Sequence, residues 1–316
     1  MSHGTRRRRE RTGRRRPLVH AAVASAVLLA ATAGTTVYVK AQAHDATALV
    51  SKVAAATGGS VTPSPSPTVD RDDRLAEAVR SAADGHDGDV SVAVLDVTDG
   101  ASATYASGDG TYDTASIVKV DVLAALLLQA QDDGRTLTAQ EKTYATAMIE
   151  KSDNAATTAL WDAIGTADGL DAANERLGLT STTGGDGPLW GLTQTTADDQ
   201  LALLKQVFGV GDTGDTGDSA LSAASQAYVQ ELMGNVESDQ AWGVSAAGSA
   251  GAELKNGWLQ RSTTGLWDIN SVGRVSVDGK QYLVAVLSNG QVTKDAGISL
   301  VEDVAKAAVQ ALSDDG

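Results

Sequence analysis

The chain has 316 residues with a 42% hydrophobic share, which allows a packed core and excludes disorder throughout. It contains no cysteine, so a thiol nucleophile, a thiolate metal site and a disulfide framework are all excluded. The net charge is −15, and residues 1–17 hold eight arginines and one glutamate (+7), so the remainder carries −15 − 7 = −22. An acidic body of this size argues against nucleic acid as a partner.

In chain order, the first predicted element follows the basic tail at 1–17. Residues 18–39 contain no Asp, Glu, Lys or Arg, and as a helix they would span roughly 33 Å, enough to cross a bilayer. We expect a transmembrane anchor, or a signal peptide cleaved near Ala41, with the body outside the cytoplasm in either case. Residues 40–72 hold three of the five prolines and predict an extended Ser/Pro-rich tether.

The folded domain is predicted over residues 73–316. Period-2 alternation and turn residues predict strands at 89–97, 101–107, 253–260, 265–277 and 281–288. Helical spacing and cap residues, including a capping box formed by Thr138 and Glu141, predict helices at 75–83, 114–134, 138–151, 155–164, 168–177, 196–208, 219–233 and 294–312. Strand pairs at both ends with helices between them predict an α/β (α+β) fold, in which helices flank a five-stranded antiparallel sheet.

Ser116 and Lys119 lie at the start of the second predicted helix, for which Asp113 or Thr114 is the expected N-cap. Residues three apart on a helix share a face, so both side chains are expected to point the same way. A lysine amine held neutral can remove the proton of a serine hydroxyl, and the helix N-terminus supplies N–H groups for an oxyanion. This pattern favours a serine nucleophile with a lysine base.

Two other catalytic arrangements are excluded by residue positions. Of the four histidines only His86 lies in the folded domain, before the first predicted strand, which argues against a Ser-His-Asp triad. The segment 212–218 contains Asp-Thr-Gly twice, but adjacent copies in one loop cannot face each other across a cleft as an aspartic-protease dyad must. We interpret it as a solvated acidic turn.

Two further motifs complete a set with Ser116 and Lys119. Ser152-Asp153-Asn154 lies between two predicted helices, and Lys255-Asn256-Gly257 lies on a late strand. In this order the set resembles that of class A β-lactamases and penicillin-recognising serine hydrolases, over about 240 residues from Asp73 onward. The resemblance implies a separate all-helical subdomain beside the sheet. It also implies that Ser116 is acylated, that Lys119 is its base and that Ser152 relays the proton to the leaving nitrogen.

The resemblance also implies a set of substrate-binding residues. These are Asn154 for the substrate amide, Lys255, Asn256 and Gly257 on the strand that faces the substrate carboxylate, the Trp258 backbone N–H for the oxyanion, and Arg274, in competition with Arg261, as a second carboxylate anchor. Neither a metal nor an organic cofactor is implied. The expected partner is a β-lactam or a cell-wall peptide, bound by a monomer.

The sequence departs from the family at the loop that follows Asn154. Family members that destroy β-lactams use a glutamate there to activate water, but loop 180–192 has no glutamate and Asp186 is its only acid. Asp186 is either a turn residue or a substitute base, so deacylation is expected to be impaired while acylation is retained. Trp190 and Trp258 are candidates to line the cleft.

These patterns lead to one functional hypothesis and two alternatives. The first is an exported serine hydrolase of the class A β-lactamase type. The second is a D-alanyl-D-alanine peptidase or transpeptidase, which the missing glutamate favours. The third is a wall-associated binding protein without catalysis, against which the intact Ser116, Lys119, Ser152, Asn154 and Lys255 argue.

Overall fold

The computed structural model describes residues 70–108, 110–211, 219–248 and 251–313, besides Met1. Its contacts divide the chain into Met1–Pro63 and Ser64–Gly316, and every element below belongs to the second unit. The predicted tail 1–17, span 18–39, nearly all of the tether and the acidic segment 212–218 lie outside the described residues. Among the helices that are described, none is long and apolar enough to cross a membrane.

A five-stranded antiparallel sheet with the order β2-β1-β7-β6-β5 is the centre of the fold. In chain order the strands are β1 (Val90–Asp96), β2 (Ser102–Ala106), β3 (Tyr112–Asp113), β4 (Gln194–Thr195), β5 (Glu253–Gln260), β6 (Trp267–Val277) and β7 (Lys280–Gln291), of which β3 and β4 form a separate short pair. Strand β1 pairs with β7, with Val92 opposite Val286. The two ends of the domain therefore meet in one sheet, as the sequence predicted.

Helices cover both faces of the sheet. They are α1 (Arg71–Ala82), α2 (Val118–Asp132), α3 (Ala139–Glu150), α4 (Asn154–Ile164), α5 (Thr166–Leu177), α6 (Ala197–Phe208), α7 (Ala223–Gly234) and α8 (Lys294–Ser313). One core joins the α2–α7 side to the sheet through residues such as Ala285 and Leu287. The other joins α1 and α8 to the alternate residues, such as Val284 and Val286. This alternation follows from the period of two in a strand.

Helix α2 is the central helix of the larger core. Twelve of its 15 residues are buried, Lys119 and Asp121 among them, so the helix is enclosed on all sides. Each fully buried leucine stabilises the fold by about 1.5–3 kcal/mol. The helix that follows Ser116 is therefore fixed by packing around its whole circumference.

The predicted caps of two helices had different outcomes. The capping box at Thr138 is confirmed: the Thr138 N–H donates to the Glu141 carboxylate at 2.7 Å, and the Glu141 N–H donates to the Thr138 hydroxyl at 3.2 Å. The cap predicted at Asp113 or Thr114 is wrong. The Asp113 carboxylate instead accepts hydrogen bonds from Arg261 and Gln194, which are distant in sequence.

Candidate active site

Ser116 lies in a single 3-10 turn, Ala115–Ile117, immediately before α2. Ala115 has a φ of 47°, in the left-handed region where a residue other than glycine costs on the order of 1–2 kcal/mol. The side-chain amide of Asn270 on β6 donates to the carbonyl oxygens of Asp113 at 2.9 Å and Thr114 at 3.0 Å. Strand β6 of the sheet thus stabilises the strained turn through these two hydrogen bonds.

Gly257 on β5 lies directly against the same turn. A Cβ atom at this position would come within 2.7 Å of the Thr114 carbonyl oxygen and 2.8 Å of the Ser116 nitrogen. Such distances are shorter than van der Waals contact allows, so only glycine lets β5 approach the turn this closely. The glycine of the Lys-Asn-Gly motif therefore has a steric reason in this fold.

Lys119 is fully buried, and its amine lies at the loop between α3 and α4. Its Nζ donates to the Ser152 carbonyl at 2.8 Å, to the Ser152 Oγ at 2.9 Å and to the Asn154 Oδ1 at 2.9 Å. Ser152 has a φ of 54°, and the Asp153 carboxylate caps α4 by accepting from the Ala156 N–H at 2.7 Å. The loop thereby turns Ser152 and Asn154 toward the lysine.

Lys255 reaches the same hydroxyl from β5. It is 1% exposed, and its Nζ donates to the Ser152 Oγ at 3.1 Å and to the Asn256 carbonyl at 3.0 Å. The Ser152 hydroxyl consequently lies between two amines, those of Lys119 and Lys255. A hydroxyl in this position can take a proton from one side and pass it to another atom.

Both buried lysines have a pKa that is lowered from the usual value to near 7. Burial, and then the charge of Lys255, lower the pKa of Lys119 from 10.5 to about 6, against the opposing effect of Asp153. Burial alone lowers the pKa of Lys255 to about 7. Near pH 7 the Lys119 amine is therefore mostly neutral, which is the protonation state that a general base requires.

The Asn256 side chain is not in this cluster, which corrects the substrate contact predicted for it. Its Nδ2 donates to the carbonyls of Gln240 at 2.7 Å and Trp242 at 3.0 Å, and the residue is 1% exposed. Successive residues of a strand point to opposite faces, so Asn256 faces away from Lys255 and Gly257.

The Trp258 ring lies on the same far face of β5 as Asn256. Its centroid is 6.0 Å from that of Trp242, and the Lys294 amine lies 4.0 Å over it, within the α1–α8 core. The ring therefore does not line the site around Lys119. An oxyanion role for the Trp258 backbone N–H stays a prediction.

Both arginine candidates already have carboxylate partners. The Nε of Arg274 donates to Glu253 at 2.6 Å, and its guanidinium lies 4.3 Å from the centre of the Phe208 ring. Arg261 pairs with Asp113. A substrate carboxylate would have to compete with Glu253 or Asp113, so an anchoring role for either arginine stays a prediction.

Trp190 has a closer relation to the site than its sequence position indicated. Its ring centre lies 5.0 Å from the Lys119 Nζ. Asp186 is exposed, and its carbonyl accepts from the Leu189 N–H at 3.0 Å, which favours the interpretation as a turn residue. A cavity of about 570 Å³ separates the 188–192 segment from residues 259–263.

Sequence reasoning missed Asn270 and the contact between Trp190 and Lys119. Asn270 is a fully buried asparagine within β6, a position that disfavours this residue type. That contrast was a usable sign of a structural role. Trp190 was a candidate to line the cleft, but its specific contact with Lys119 had no local sign, because Lys119 lies far away in sequence on α2.

One family model matches most of the chain. Described as "Beta-lactamase enzyme family", it matches residues 74–144 and 139–312. No curated protein sequence matches.

The fold is similar to those of solved serine β-lactamases and of a related protein. The TLA-1 extended-spectrum β-lactamase superposes with a TM-score of 0.66 at 16% identity, over 77% of this chain and 99% of that one. A class A β-lactamase from Bacteroides cellulosilyticus gives 0.64 at 16% identity over 77% and 99%. A PBP-A variant in an acyl-enzyme complex with penicillin G gives 0.61 at 21% identity over 76% and 96%. At these identities the likeness shows the fold alone.

Proposed function

Because the chain belongs to the β-lactamase enzyme family, we propose that it is a serine hydrolase acylated at Ser116 by β-lactams or related acyl donors. The observation that carries the proposal is the buried Lys119 amine, 2.9 Å from both the Ser152 Oγ and the Asn154 Oδ1 and one helical turn from Ser116. A buried amine without a carboxylate partner destabilises a fold, so its retention with three matched acceptors favours a chemical role.

In the proposed acylation, neutral Lys119 removes the proton of the Ser116 hydroxyl, and the Oγ attacks the carbonyl carbon of the substrate amide. The backbone N–H of Ser116 and that of Trp258 stabilise the oxyanion. The C–N bond then breaks, and the nitrogen receives the Ser152 proton. Ser152 regains a proton from Lys119 through the 2.9 Å hydrogen bond, which returns the lysine to its neutral form.

We propose that deacylation is slow. Hydrolysis of an acyl-serine requires a base for water, and the group that covers Lys119 from the 188–192 segment is the Trp190 ring rather than a carboxylate. An acyl-enzyme would accumulate under these conditions.

The same observation keeps a second function open, that of a D-alanyl-D-alanine peptidase or transpeptidase. An acyl-enzyme that excludes water can pass its acyl group to an amine instead. We also propose that the domain works outside the cytoplasm, from the arginine-rich tail and the apolar residues 18–39 of the sequence.

The first test is covalent labelling with a fluorescent penicillin. The full-length protein should acquire a stable label, and Ser116→Ala should lose at least about a hundredfold in labelling rate. The control Ser102→Ala, at an exposed serine on β2 at the opposite edge of the sheet from β5, should label like the wild type. Labelling is followed by denaturing gel and located by mass spectrometry of peptides.

Two further assays separate the candidate activities. Turnover of a chromogenic cephalosporin supports the β-lactamase activity, and release of D-alanine from a cell-wall peptide supports the peptidase activity. Equal labelling of wild type and Ser116→Ala, or no labelling of a folded wild type, would contradict acylation at Ser116.

A further inference from the structure

We propose that Trp190 shields the acylated Ser116 and the Lys119 amine from water, and that its ring thereby sets the lifetime of the acyl-enzyme. The inference rests on the proposed acylation of Ser116 and adds to it a residue that controls the following step. Trp190 is half-buried in the 3-10 turn Trp190–Leu192, and its ring lies 5.0 Å from the Lys119 Nζ.

The ring is held in place by its own polar atom and by the main chain on both sides. The indole N–H donates to the Thr158 hydroxyl on α4 at 3.2 Å. The buried Trp161, also on α4, donates its indole N–H to the Gly187 carbonyl at 2.8 Å. The Thr114 N–H donates to the Thr193 carbonyl at 2.9 Å, so the segment is attached to other elements both before and after the ring.

Further contacts bring the segment against the nucleophile turn itself. The Gly184 N–H donates to the Asp171 carboxylate on α5 at 2.7 Å. A Cβ atom on Gly191 would lie 3.9 Å from the Ala115 Cα, which is ordinary van der Waals contact with the residue before Ser116. A segment fastened to α4 and α5 and packed on Ala115 is a fixed wall rather than a mobile lid.

The chemistry that such a wall opposes is hydrolysis of the acyl-serine. A water oxygen must bond to the acyl carbon while the bond from that carbon to the Ser116 Oγ breaks. One water proton is transferred to Oγ and the other remains with the acid product. On one side of the Lys119 amine lie Ser152 and Asn154, which accept its three hydrogen bonds. On another side the Trp190 ring covers the amine. The ring offers water no acceptor and no base.

Removal of the ring has two opposing effects on the Lys119 pKa, and the larger of them decides whether the pKa rises or falls. Loss of the contact between the charged amine and the ring disfavours the charged form. Entry of water favours the charged amine, and burial is the largest cause of the low Lys119 pKa. Burial can shift the pKa of a lysine by several units, more than contact with one ring does, so the effect of rehydration prevails. The Lys119 pKa should therefore rise toward 10.5 when the ring is removed.

The test compares Trp190→Ala, Trp190→Leu and Trp190→Phe with the matched control Leu189→Ala. Leu189 is the neighbouring residue and is 50% exposed, so its truncation changes the same segment without opening a path to Lys119. Each full-length protein is labelled with fluorescent penicillin, freed of excess reagent, and followed for loss of the label. The acyl-enzyme half-life should fall at least about tenfold in Trp190→Ala and less in Trp190→Leu, and stay within about twofold in Trp190→Phe and Leu189→Ala.

A second measurement does not depend on acylation. Proteins carrying 13C at the lysine ε-carbon are titrated by NMR, and the Lys119 resonance is assigned by its absence from Lys119→Met. The Lys119 pKa should be higher in Trp190→Ala, or in Trp190→Leu if the alanine variant does not fold, than in Leu189→Ala. If the wild type acquires no label, the proposed function is contradicted. If the label forms but Trp190→Ala leaves either its lifetime or the Lys119 pKa unchanged, the proposed shielding by Trp190 is overturned.

Discussion

Two buried polar clusters lie two residues apart on α2, one around Lys119 and one around Asp121, and both side chains are fully buried. The Lys119 amine has three hydrogen-bond acceptors at 2.8–2.9 Å. Asp121 accepts one hydrogen bond, from Gln200 at 3.5 Å, while its Oδ1 and the Gln200 Oε1 have no partner among the described residues. The same helix thus buries one satisfied ionisable group and one that is poorly satisfied.

Burial pushes both groups toward their neutral forms. It lowers the pKa of Lys119 to about 6 and raises the pKa of Asp121 to about 8, where the Gln200 hydrogen bond opposes the rise and Asp199 adds to it. Burial alone therefore does not identify a catalytic group. Lys119 differs from Asp121 in its neighbours. Lys119 lies beside the Ser152 hydroxyl and the turn that contains Ser116, whereas Asp121 contacts the Gln200 side chain on α6.

The two groups have opposite effects on stability as pH changes. Between pH 6 and 10.5 the unfolded chain binds a proton on Lys119 that the folded chain does not, so the free energy of unfolding rises with pH. Between pH 3.8 and 8 the folded chain binds a proton on Asp121 that the unfolded chain does not, so the free energy of unfolding falls with pH.

The largest expected effect comes from Lys119→Met. Loss of the base should lower the acylation rate by about 10²–10⁴. At pH 7 the free energy of unfolding should rise by roughly 3 kcal/mol. About 3.5 pKa units of neutralisation cost (10.5 − 7) are relieved, against the loss of the two hydrogen bonds, worth about 1 kcal/mol each, that a neutral amine can donate. Labelling kinetics and urea denaturation measure the two quantities. A destabilised variant that still labels would assign Lys119 a structural role instead.

A smaller effect on the acylation rate is expected for Lys255→Ala, and almost none for Asn256→Ala. The two residues are neighbours on opposite faces of β5. Loss of Lys255 should slow acylation by about 10–100-fold, and the rising limb of the pH profile should move above pH 6 because the repulsion that lowers the Lys119 pKa is gone. Asn256→Ala should label within about threefold of wild type and lose roughly 1–2 kcal/mol of stability with its two hydrogen bonds.

Rates measured between pH 5 and 9 decide this comparison. The wild-type acylation rate should rise through about pH 6, where Lys119 loses its proton. If Asn256→Ala slows acylation as much as Lys255→Ala does, the far face of β5 takes part in the reaction after all.

The smallest effect on activity is expected for Asp121→Asn. The amide removes an unfavourable ionisation and can donate to the unpartnered Gln200 Oε1, so the free energy of unfolding at pH 8 should rise by about 2 kcal/mol, and by less at pH 5. Acylation should change by less than about twofold. Urea denaturation at both pH values measures the change.

The control for this prediction is Asp199→Asn on α6. The Asp199 carboxylate accepts from the Ser181 N–H and the Thr182 hydroxyl, both at 2.7 Å, so its conversion to an amide should destabilise the fold. Equal responses of Asp121 and Asp199 would remove the distinction between satisfied and unsatisfied buried carboxylates.

Most secondary structure could be predicted because its determinants are local. Strand β5 begins and ends at the predicted residues, Glu253 and Gln260, and the Thr138 box begins α3 as expected. The Asp113 cap failed because a more favourable partner, Arg261, is 148 residues away. A local cap competes with every distant cation that the fold brings near, and the sequence does not rank these partners.

Most residues at the centre of the site could be predicted from the sequence, but the residues at its edges could not. Ser152, Asn154 and Lys255 meet Lys119 or its partner, as the motif order indicated. The alternation of β5 already placed Asn256 opposite to Lys255, so the predicted contact conflicted with the period of the strand itself. Trp190 required the full fold, because Thr158 and Trp161 on α4 decide where its loop is fastened.

The support that Asn270 gives to the turn before Ser116 has a consequence for the order in which the chain becomes active. The partners of this contact are 157 residues apart, and strand β6, in the last third of the chain, supplies the amide. A growing polypeptide that ends before β6 contains Ser116, Lys119 and the whole of α2, yet lacks the group that holds Ala115 in its left-handed conformation. We therefore expect the proposed reactivity of Ser116 only after the last third of the chain has joined the sheet.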